Sequence, residues 1–475
     1  MYYKLKSNVL FRNYGDYGYI TDDRNYRYIK DEVVGERIVS ESGAAFLSTL
    51  NKKPKSVFDI FTKIHEKYQD VSIEIIKSDV EEFFSELVCD GFLCKGETVT
   101  ECNSNDYFFS YKNSGSKAKS DKNKDNIDNT TEFFEDNEEK VNRLTSVHIE
   151  ITSKCNERCI HCYIPHEKKI KTLDTKHIYS LLKQCKDMNV LHITLSGGEP
   201  MLHKDFCDIL KQCREYDFAV SVLTNLTLLT DEVVAEMKRN GLLGVQVSLY
   251  STDPVIHDSI TKMTGSFKKT KSSILKLVEN DIPLQISCPL MKQNKDCYHD
   301  VIEWAKKYGV TASDDYALIA EYDHSNQNTC NRLSLNEVST VLKDKASSDE
   351  SYLDKLKGEL INRSHIDPED PVCSVCSVSV CIAENGNVYP CAGWQDCVLG
   401  NILETSLNDI WHFSRKINSL RKLKKKDFPE CMQCDLKGIC SMCMVRNANE
   451  DFNGNYLNIN KYFCNITKLK KALLS

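Results

Sequence analysis

Thr152-Ser-Lys-Cys-Asn-Glu-Arg-Cys-Ile-His-Cys-Tyr163 follows directly on an apolar alternating run and places Cys155, Cys159 and Cys162 at C-x3-C-x2-C spacing. The spacing gathers three thiolates in one short loop and offers no fourth. A structural zinc site takes four ligands in a closed tetrahedron, and a [4Fe–4S] cluster normally takes a thiolate on each iron. Three local cysteines leave one iron open to another ligand, or leave a zinc ion to be completed by Cys185 or a nearby His.

Outward from the loop, strand and helix patterns alternate from Ser146 to about Glu321. Strands are expected at Val147–Thr152, His192–Leu195, Ala219–Thr224, Val245–Tyr250, Leu284–Leu290 and Tyr316–Ala320, with helical patterns such as Asp231–Asn240 and Asp300–Tyr308 between them. Six β-α units of this kind indicate a parallel sheet with helices packed outside. Periodicity alone does not separate a partial barrel from an open sheet. Ser196-Gly-Gly-Glu-Pro200 ends the second strand. Gly197 and Gly198 let backbone approach a ligand closely, and Glu199 can accept hydrogen bonds from an ammonium group.

The flanks have different characters. Residues 1–97 read as a small α/β module. Tyr17-Gly-Tyr-Ile-Thr-Asp and Tyr26-Arg-Tyr-Ile suggest hairpin strands around Asp22–Asn25. Val57, Ile60, Phe61 and Ile64 recur at helical spacing, as do Val80, Phe83, Phe84 and Leu87. Phe92-Leu93 after Asp90-Gly91 gives a closing strand, and the whole suggests a winged helix. Its first 100 residues hold 14 Lys/Arg against 17 Asp/Glu, a poor charge for duplex DNA. Residues 98–143 are rich in Asn, Asp, Ser, Lys and Glu and read as an acidic flexible linker with short aromatic patches at Tyr107–Phe109 and Phe133–Phe134. The first segment of this central region is 144–325, followed by a charged helical bridge at 326–367 that includes Lys343–Arg363. A cysteine-dense segment occupies 368–475.

That last segment carries Cys373-x2-Cys376-x4-Cys381, Gly386-x4-Cys391, Cys431-x2-Cys434-x5-Cys440-x2-Cys443 and Cys464. It holds ten of the chain's 22 cysteines, counting Cys397, and has few long apolar runs, so metal ligation would supply stability that a core does not. Spacing alone allows two clusters or two zinc ions. A net charge of −7 over 475 residues argues against a general nucleic-acid binder. No signal region or long apolar run suggests secretion or a membrane. The chain therefore reads as cytoplasmic, and its cysteines as metal or redox groups rather than disulfides.

The cysteine loop and Gly197-Gly-Glu-Pro200 together resemble the radical S-adenosylmethionine (SAM) enzymes. The resemblance implies a partial (β/α)6 TIM-like barrel, open on one side, flanked by the winged-helix-like module and a small Cys-rich iron–sulfur domain. It implies that Cys155, Cys159 and Cys162 hold a [4Fe–4S] cluster whose open iron chelates SAM, and that reduction yields a 5′-deoxyadenosyl radical. Gly197, Gly198, Glu199 and Pro200 then match the motif that holds the SAM amino group. Thr224, Asn225 and Ser248 match ribose and carboxylate contacts, and Lys262 a basic position of some relatives. An aromatic residue usually precedes the third cysteine near the adenine; here that place holds His161, with Tyr163 one place beyond it.

The C-terminal cysteines resemble the SPASM extension, which binds two auxiliary [4Fe–4S] clusters and brings the expected total to three. By that resemblance Cys391, Cys381, Cys443 and either Cys373 or Cys376 form the first auxiliary site. Cys431, Cys434, Cys440 and Cys464 form the second, with Cys397 unassigned. Cys440-Ser-Met-Cys443 is one residue shorter than the usual pattern. In sulfatase-maturing relatives a carboxylate follows the last cysteine of the G-x4-C element and acts as a base; here that place holds Ala392. The N-terminal module resembles the leader-recognition element of enzymes that modify ribosomally made peptides. The implied activity is a peptide maturase forming thioether crosslinks, with carbon–carbon crosslinking, sulfatase maturation or a zinc-stabilised, non-catalytic peptide-binding scaffold as alternatives. The implied partners are a precursor peptide bound through its leader and a reductase such as flavodoxin or ferredoxin.

Overall fold

A computed structural model of the chain describes residues 1–22, 36–106, 142–241, 243–348, 350–362, 367–440 and 442–474. The N-terminal module is built from two small sheets. In the first, β1 (Tyr2–Leu5) lies between β5 (Lys55–Ser56) and β6 (Leu93–Gly96); in the second, β3 (Tyr17–Thr21) lies between β2 (Leu10–Asn13) and β4 (Glu36–Ser40). Helices Val57–Lys67 and Ile73–Cys89 turn Ile60, Ile64, Val80, Phe84 and Leu87 into one core. Ser56 and Ser72 cap their N-termini by accepting from the amides of Asp59 and Ile75. The second expected hairpin strand, Tyr26–Ile29, lies outside the described residues, as does most of the expected linker.

The linker expectation fails at its start. Val99–Ser104 form a helix capped by Thr98, and Asp106 accepts from Lys4 and Ser7 with a side chain only 2 % exposed. A buried ion pair ties this stretch to β1, so the module runs on to Asp106.

The central sheet has nine strands in the order β12-β11-β10-β9-β8-β7-β13-β14-β15. Six are the parallel strands β7 (Ser146–Thr152), β8 (His192–Gly197), β9 (Ala219–Thr224), β10 (Leu243–Ser248), β11 (Leu284–Pro289) and β12 (Thr311–Asp315). Val147, Ile149 and Ile151 on β7 point outward into a core shared with the helices, all 0 % exposed. Strand alternation then turns His148 and Glu150 to the inner face.

The sixth strand is displaced from its expected position. Tyr316–Ala320 has the apolar pattern of a strand but runs as coil, while the polar Thr311–Asp315 pairs with β11. Leu318 and Ala320 are buried without a ladder because side chains serve their carbonyls. Arg332 donates to Leu318 O at 3.0 Å, Asn328 to Ile319 O at 2.8 Å and Asn449 to Ala320 O at 3.1 Å.

The Cys-rich segment is not a separate bead. Its β13 (Ser379–Ile382) pairs in parallel with β7, and β14 (Asn387–Tyr389) and β15 (Gly400–Asn401) follow antiparallel. At the other end of the strands, Arg12 of the N-terminal module is buried against the barrel. Its guanidinium donates to Val190 O at 3.0 and 3.1 Å and to Asp217 O at 2.7 Å. Leu10 packs there with Leu191 and Ala219. The bridge forms two helices, Leu335–Ser348 and Glu350–Asn362. Among the described residues no helix is long and apolar enough to cross a membrane.

Candidate active site

The three-cysteine loop leaves the C-terminal end of β7, where parallel α/β sheets place their sites. Main-chain bonds hold it from two sides: Arg158 N to Thr261 O and Ile160 N to Ile260 O on one, and Tyr322 N to Tyr163 O on the other. Asn331 donates to Ile160 O at 2.8 Å, and Asn328 to the carbonyls of His161 and Cys162 at 3.2 and 3.3 Å.

The glycines of Gly197-Gly-Glu serve this loop. A Cβ on Gly197, whose φ is +137°, would lie 1.9 Å from Thr152 O, and one on Gly198 2.3 Å from Lys154 O. Gly198 N bonds Thr152 O at 2.7 Å and Glu199 N bonds Lys154 O at 2.8 Å. What these glycines approach in the structure is the first turn of the cysteine loop, rather than the ligand surface expected from sequence.

Cys155, Cys159 and Cys162 share one desolvated pocket of the loop. Burial pushes the Cys159 thiol well above its ordinary value, and Glu157, Cys162 and Cys155 add to the effect. Lys169 faces the same sulfurs: burial would lower its pKa, but Cys162 and Cys155 outweigh that and hold it up. Crowded thiols of this kind are stabilised as thiolates by a bound cation, so the donor set fits a cluster. Glu157, 3 % exposed inside the loop, accepts from Cys159 Sγ at 3.4 Å, and its Oε1 has no hydrogen-bond partner.

Glu199 is fully buried at the end of β8. Its carboxylate accepts from Met201 N at 3.0 Å, Asn225 N at 2.8 Å and the Thr224 hydroxyl at 2.8 Å. Burial pushes it up to about 7, opposed by these bonds. Three donors leave roughly one of the four lone-pair directions of a carboxylate for an ammonium. Thr224 is thereby occupied in holding Glu199, and Asn225 reaches Asn156 Oδ1 at 3.1 Å. Pro200 opens a short helical turn behind the glutamate. His161 packs edge-on against Tyr250 with ring centroids 5.1 Å apart. The Tyr250 hydroxyl lies 3.4 Å from His161 Nε2 and 4.0 Å from Cys159 Sγ, and it also contacts Ser248. Burial pushes His161 down to about 4, with Lys169 adding, so its ring is neutral at pH 7. Lys262 ends the helix Pro254–Thr261 in a left-handed conformation.

Tyr163 goes elsewhere. Its hydroxyl donates to Glu150 Oε1 at 2.7 Å, and its ring lies against Gly393 of the C-terminal segment. Glu150 and Tyr250 were missed from sequence. The signal for Glu150 was present: it is the acidic residue at an inward position of an otherwise apolar strand. Nothing local marked Tyr250.

The C-terminal cysteines form two neighbourhoods. Cys431, Cys434, Cys440 and Cys464 line a cavity of about 640 Å³ together with Met432, Leu436 and Met442. In the other, burial raises Cys391, with Cys443 and Cys373 adding. Cys373 in turn faces Cys443. Cys376 is 0 % exposed, with Cys397 first among its thiol neighbours, and Arg421 donates to its carbonyl at 2.7 Å. Cys381, on β13, faces Glu150 and then Cys391. The geometry favours Cys373 over Cys376 as the companion of Cys391 and Cys443. Among the described residues no three His, Cys, Asp or Glu side chains converge on a single-ion point.

Protein-family models match three stretches of the chain: the radical SAM superfamily at residues 149–305, the SPASM iron–sulfur cluster-binding domain at 373–435, and coenzyme PQQ synthesis protein D (PqqD) at 37–93. The chain is similar to an AdoMet-dependent heme synthase of Methanosarcina barkeri, 26% identical over 62% of this chain and 90% of that protein. It is also similar to the antilisterial bacteriocin subtilosin biosynthesis protein AlbA of Bacillus subtilis, 26% identical over 64% of this chain and 67% of that one. Among solved structures, Streptococcus suis SuiB bound to precursor peptide SuiA superposes with a TM-score of 0.61 at 16% identity, covering 97% of this chain and 100% of SuiB. That likeness establishes a shared fold along nearly the whole chain. The domains imply SAM and [4Fe–4S] clusters as cofactors. The chain is thus a radical SAM enzyme, a member of that superfamily carrying a PqqD domain before its barrel and a SPASM iron–sulfur domain after it.

Proposed function

We propose that the enzyme matures a ribosomally made precursor peptide, recognised through its leader by residues 1–106. The observation that carries this reading is the PqqD-type module buried against the barrel through Arg12 and Leu10, in a chain whose fold runs the length of a structure solved with a precursor peptide. Strand addition to a sheet edge suits such a module and needs no basic surface.

Within the site, Cys155, Cys159 and Cys162 would hold the SAM-binding cluster. Glu199 would take the SAM ammonium with its remaining acceptor direction, from a turn that Gly197, Gly198 and Pro200 set. Asn225 and Ser248 would meet ribose and carboxylate, and the His161–Tyr250 pair would flank the adenine. The cluster supplies, when bound and reduced by a flavodoxin or ferredoxin, the electron that cleaves SAM to a hydrogen-abstracting 5′-deoxyadenosyl radical. Cys373, Cys391 and Cys443, with Cys381 or Cys376 beside them, would hold one auxiliary cluster, and Cys431, Cys434, Cys440 and Cys464 the other. A thioether between a cysteine sulfur and carbon is the favoured product, and a carbon–carbon crosslink the nearest competitor. Ala392 after Cys391 counts against sulfatase maturation.

Co-expression with the short peptide encoded beside the gene tests the reading. Each crosslink removes two hydrogens, which mass spectrometry reads directly, and Cys155→Ala abolishes the change. Removal of residues 1–106 should abolish crosslinking while leaving 5′-deoxyadenosine formation from SAM. Crosslinking that survives the deletion would refute leader-directed maturation.

A further inference from the structure

Glu150 sits on the inner face of β7, 1 % exposed, and both of its oxygens are held by neutral donors. Tyr163 donates its hydroxyl to Oε1 at 2.7 Å and Gln395 its amide to Oε2 at 2.8 Å. One donor follows Cys162 and the other lies four residues past Cys391, so the carboxylate lies between the SAM-cleaving loop and an auxiliary-cluster loop. The titratable groups around it are acidic: Glu384, Cys381 and Cys391 on the C-terminal segment, Tyr322 on the coil after β12, and Tyr389 on β14. Lys171 faces Glu384, and His148, two residues back on the same strand face, is engaged by Ser196. Burial pushes the Glu150 carboxyl up to about 7, with Tyr163 opposing and Glu384 adding. A buried carboxylate without a cation is costly to maintain, and its structural work here would be done as well by an amide.

We propose that Glu150, reached through the Tyr163 hydroxyl, is the proton acceptor of the bond-forming step. The assignment rests on the peptide-maturase reading and holds for either crosslink. The hydrogen atom taken from the substrate carbon ends in 5′-deoxyadenosine. Joining the carbon radical to an X–H group, X being sulfur or carbon, forms C–X, breaks X–H and releases one proton and one electron. The electron passes to an oxidised auxiliary [4Fe–4S] cluster. The proton passes to the Tyr163 oxygen as the phenol's own proton passes to Glu150 Oε1, which regenerates the phenol and leaves a carboxylic acid. Tyr163 is partly exposed where Glu150 is not, so the phenol is the member of the pair that a substrate can reach.

The test compares Glu150→Gln and Tyr163→Phe holoenzymes with the wild type, on the peptide that the wild type crosslinks. For both variants, the 5′-deoxyadenosine made per crosslink rises at least about tenfold, as loss of a general base predicts. The wild-type rate of crosslinking rises with pH through about 7, and in Glu150→Gln that rise is absent. Infrared spectroscopy of the resting holoenzyme gives a readout free of turnover: a carboxylic C=O band titrating near pH 7 is present in the wild type and in Tyr163→Phe and missing from Glu150→Gln. A Glu150→Gln enzyme with the wild-type ratio and pH profile would overturn the assignment and leave Glu150 a structural tie. A wild type that cleaves SAM but alters no peptide would overturn the maturase reading itself, a result distinct from either variant's uncoupling.

Discussion

Gly197→Ala tests how tightly the Gly-Gly turn sets the cysteine loop. The added Cβ would stand 1.9 Å from Thr152 O, where carbon and oxygen normally keep about 3.3 Å. The ends of β7 and β8 must then part by about 1.4 Å, and the 2.7 Å bond from Gly198 N to Thr152 O breaks. Losing that bond costs about 1 kcal/mol. Holding alanine at this φ adds about 1–3 kcal/mol, for a total destabilisation of about 2–4 kcal/mol. Cys155 lies three residues beyond Thr152, so the shift reaches the first cluster ligand, and a misplacement of about 1 Å is expected to slow SAM cleavage roughly 100-fold. The assay is 5′-deoxyadenosine formation with dithionite and SAM, read by liquid chromatography, beside thermal unfolding. Gly15→Ala is the control: its φ is +98° and nothing lies within 4 Å of the added carbon, so it carries backbone strain without displacing a neighbour. A Gly197→Ala enzyme with wild-type iron content and wild-type cleavage would refute the reasoning.

Arg12→Ala removes charge-assisted bonds to two buried carbonyls, at about 1.5–3 kcal/mol for such an interaction. Limited proteolysis should then release residues 1–106 faster, while SAM cleavage at the opposite end of the strands persists. Cys373→Ser should lose about one cluster's worth of iron, roughly four atoms per chain. Cys376→Ser should keep its iron and lose only thermal stability, and the reverse pattern would reassign the ligand. The pH dependence of stability follows from Glu150. Its folded value of about 7 exceeds the ordinary value of about 4.3, so the folded state binds the proton more tightly than the unfolded state. Stability is therefore fullest below about pH 4 and falls as pH rises to about 7. Glu150→Gln lacks that loss, so its melting temperature relative to the wild type should rise between pH 5 and 8, with no change below.

Much of the site was legible because it is local. The C-x3-C-x2-C loop, the glycine–glutamate turn and the later cysteine pairs are short spacings, and a short chain segment restricts where its side chains can go. The parallel strands were legible from their apolar runs, since strands buried on one or both faces leave that pattern. The sixth strand was misplaced because Tyr316–Ala320 has the apolar composition of a strand, yet its carbonyls are satisfied by Arg332, Asn328 and Asn449. Those donors lie 9 to 129 residues away in sequence, and no window of local pattern contains them. The helix at Val99–Ser104 was hidden by the polar composition around it; only the buried pair of Asp106 with Lys4 shows that the chain is still folded there.

Sequence alone determined which chemistry the chain can carry: three thiols that leave an iron open, a glutamate one β-α unit later, and a second reservoir of thiols. These are matters of residue type and of spacing over a few bonds, and folding does not change them. Tertiary structure decided which of those groups meet. It set β13 beside β7, brought Cys373 rather than Cys376 toward Cys391 and Cys443, and turned Tyr163 from the adenine side to Glu150. The carboxylate that joins the two cluster loops draws its donors from 13 and 245 residues away. Only burial in the closed fold, which removes water and raises its proton affinity, turns an ordinary strand glutamate into a candidate base.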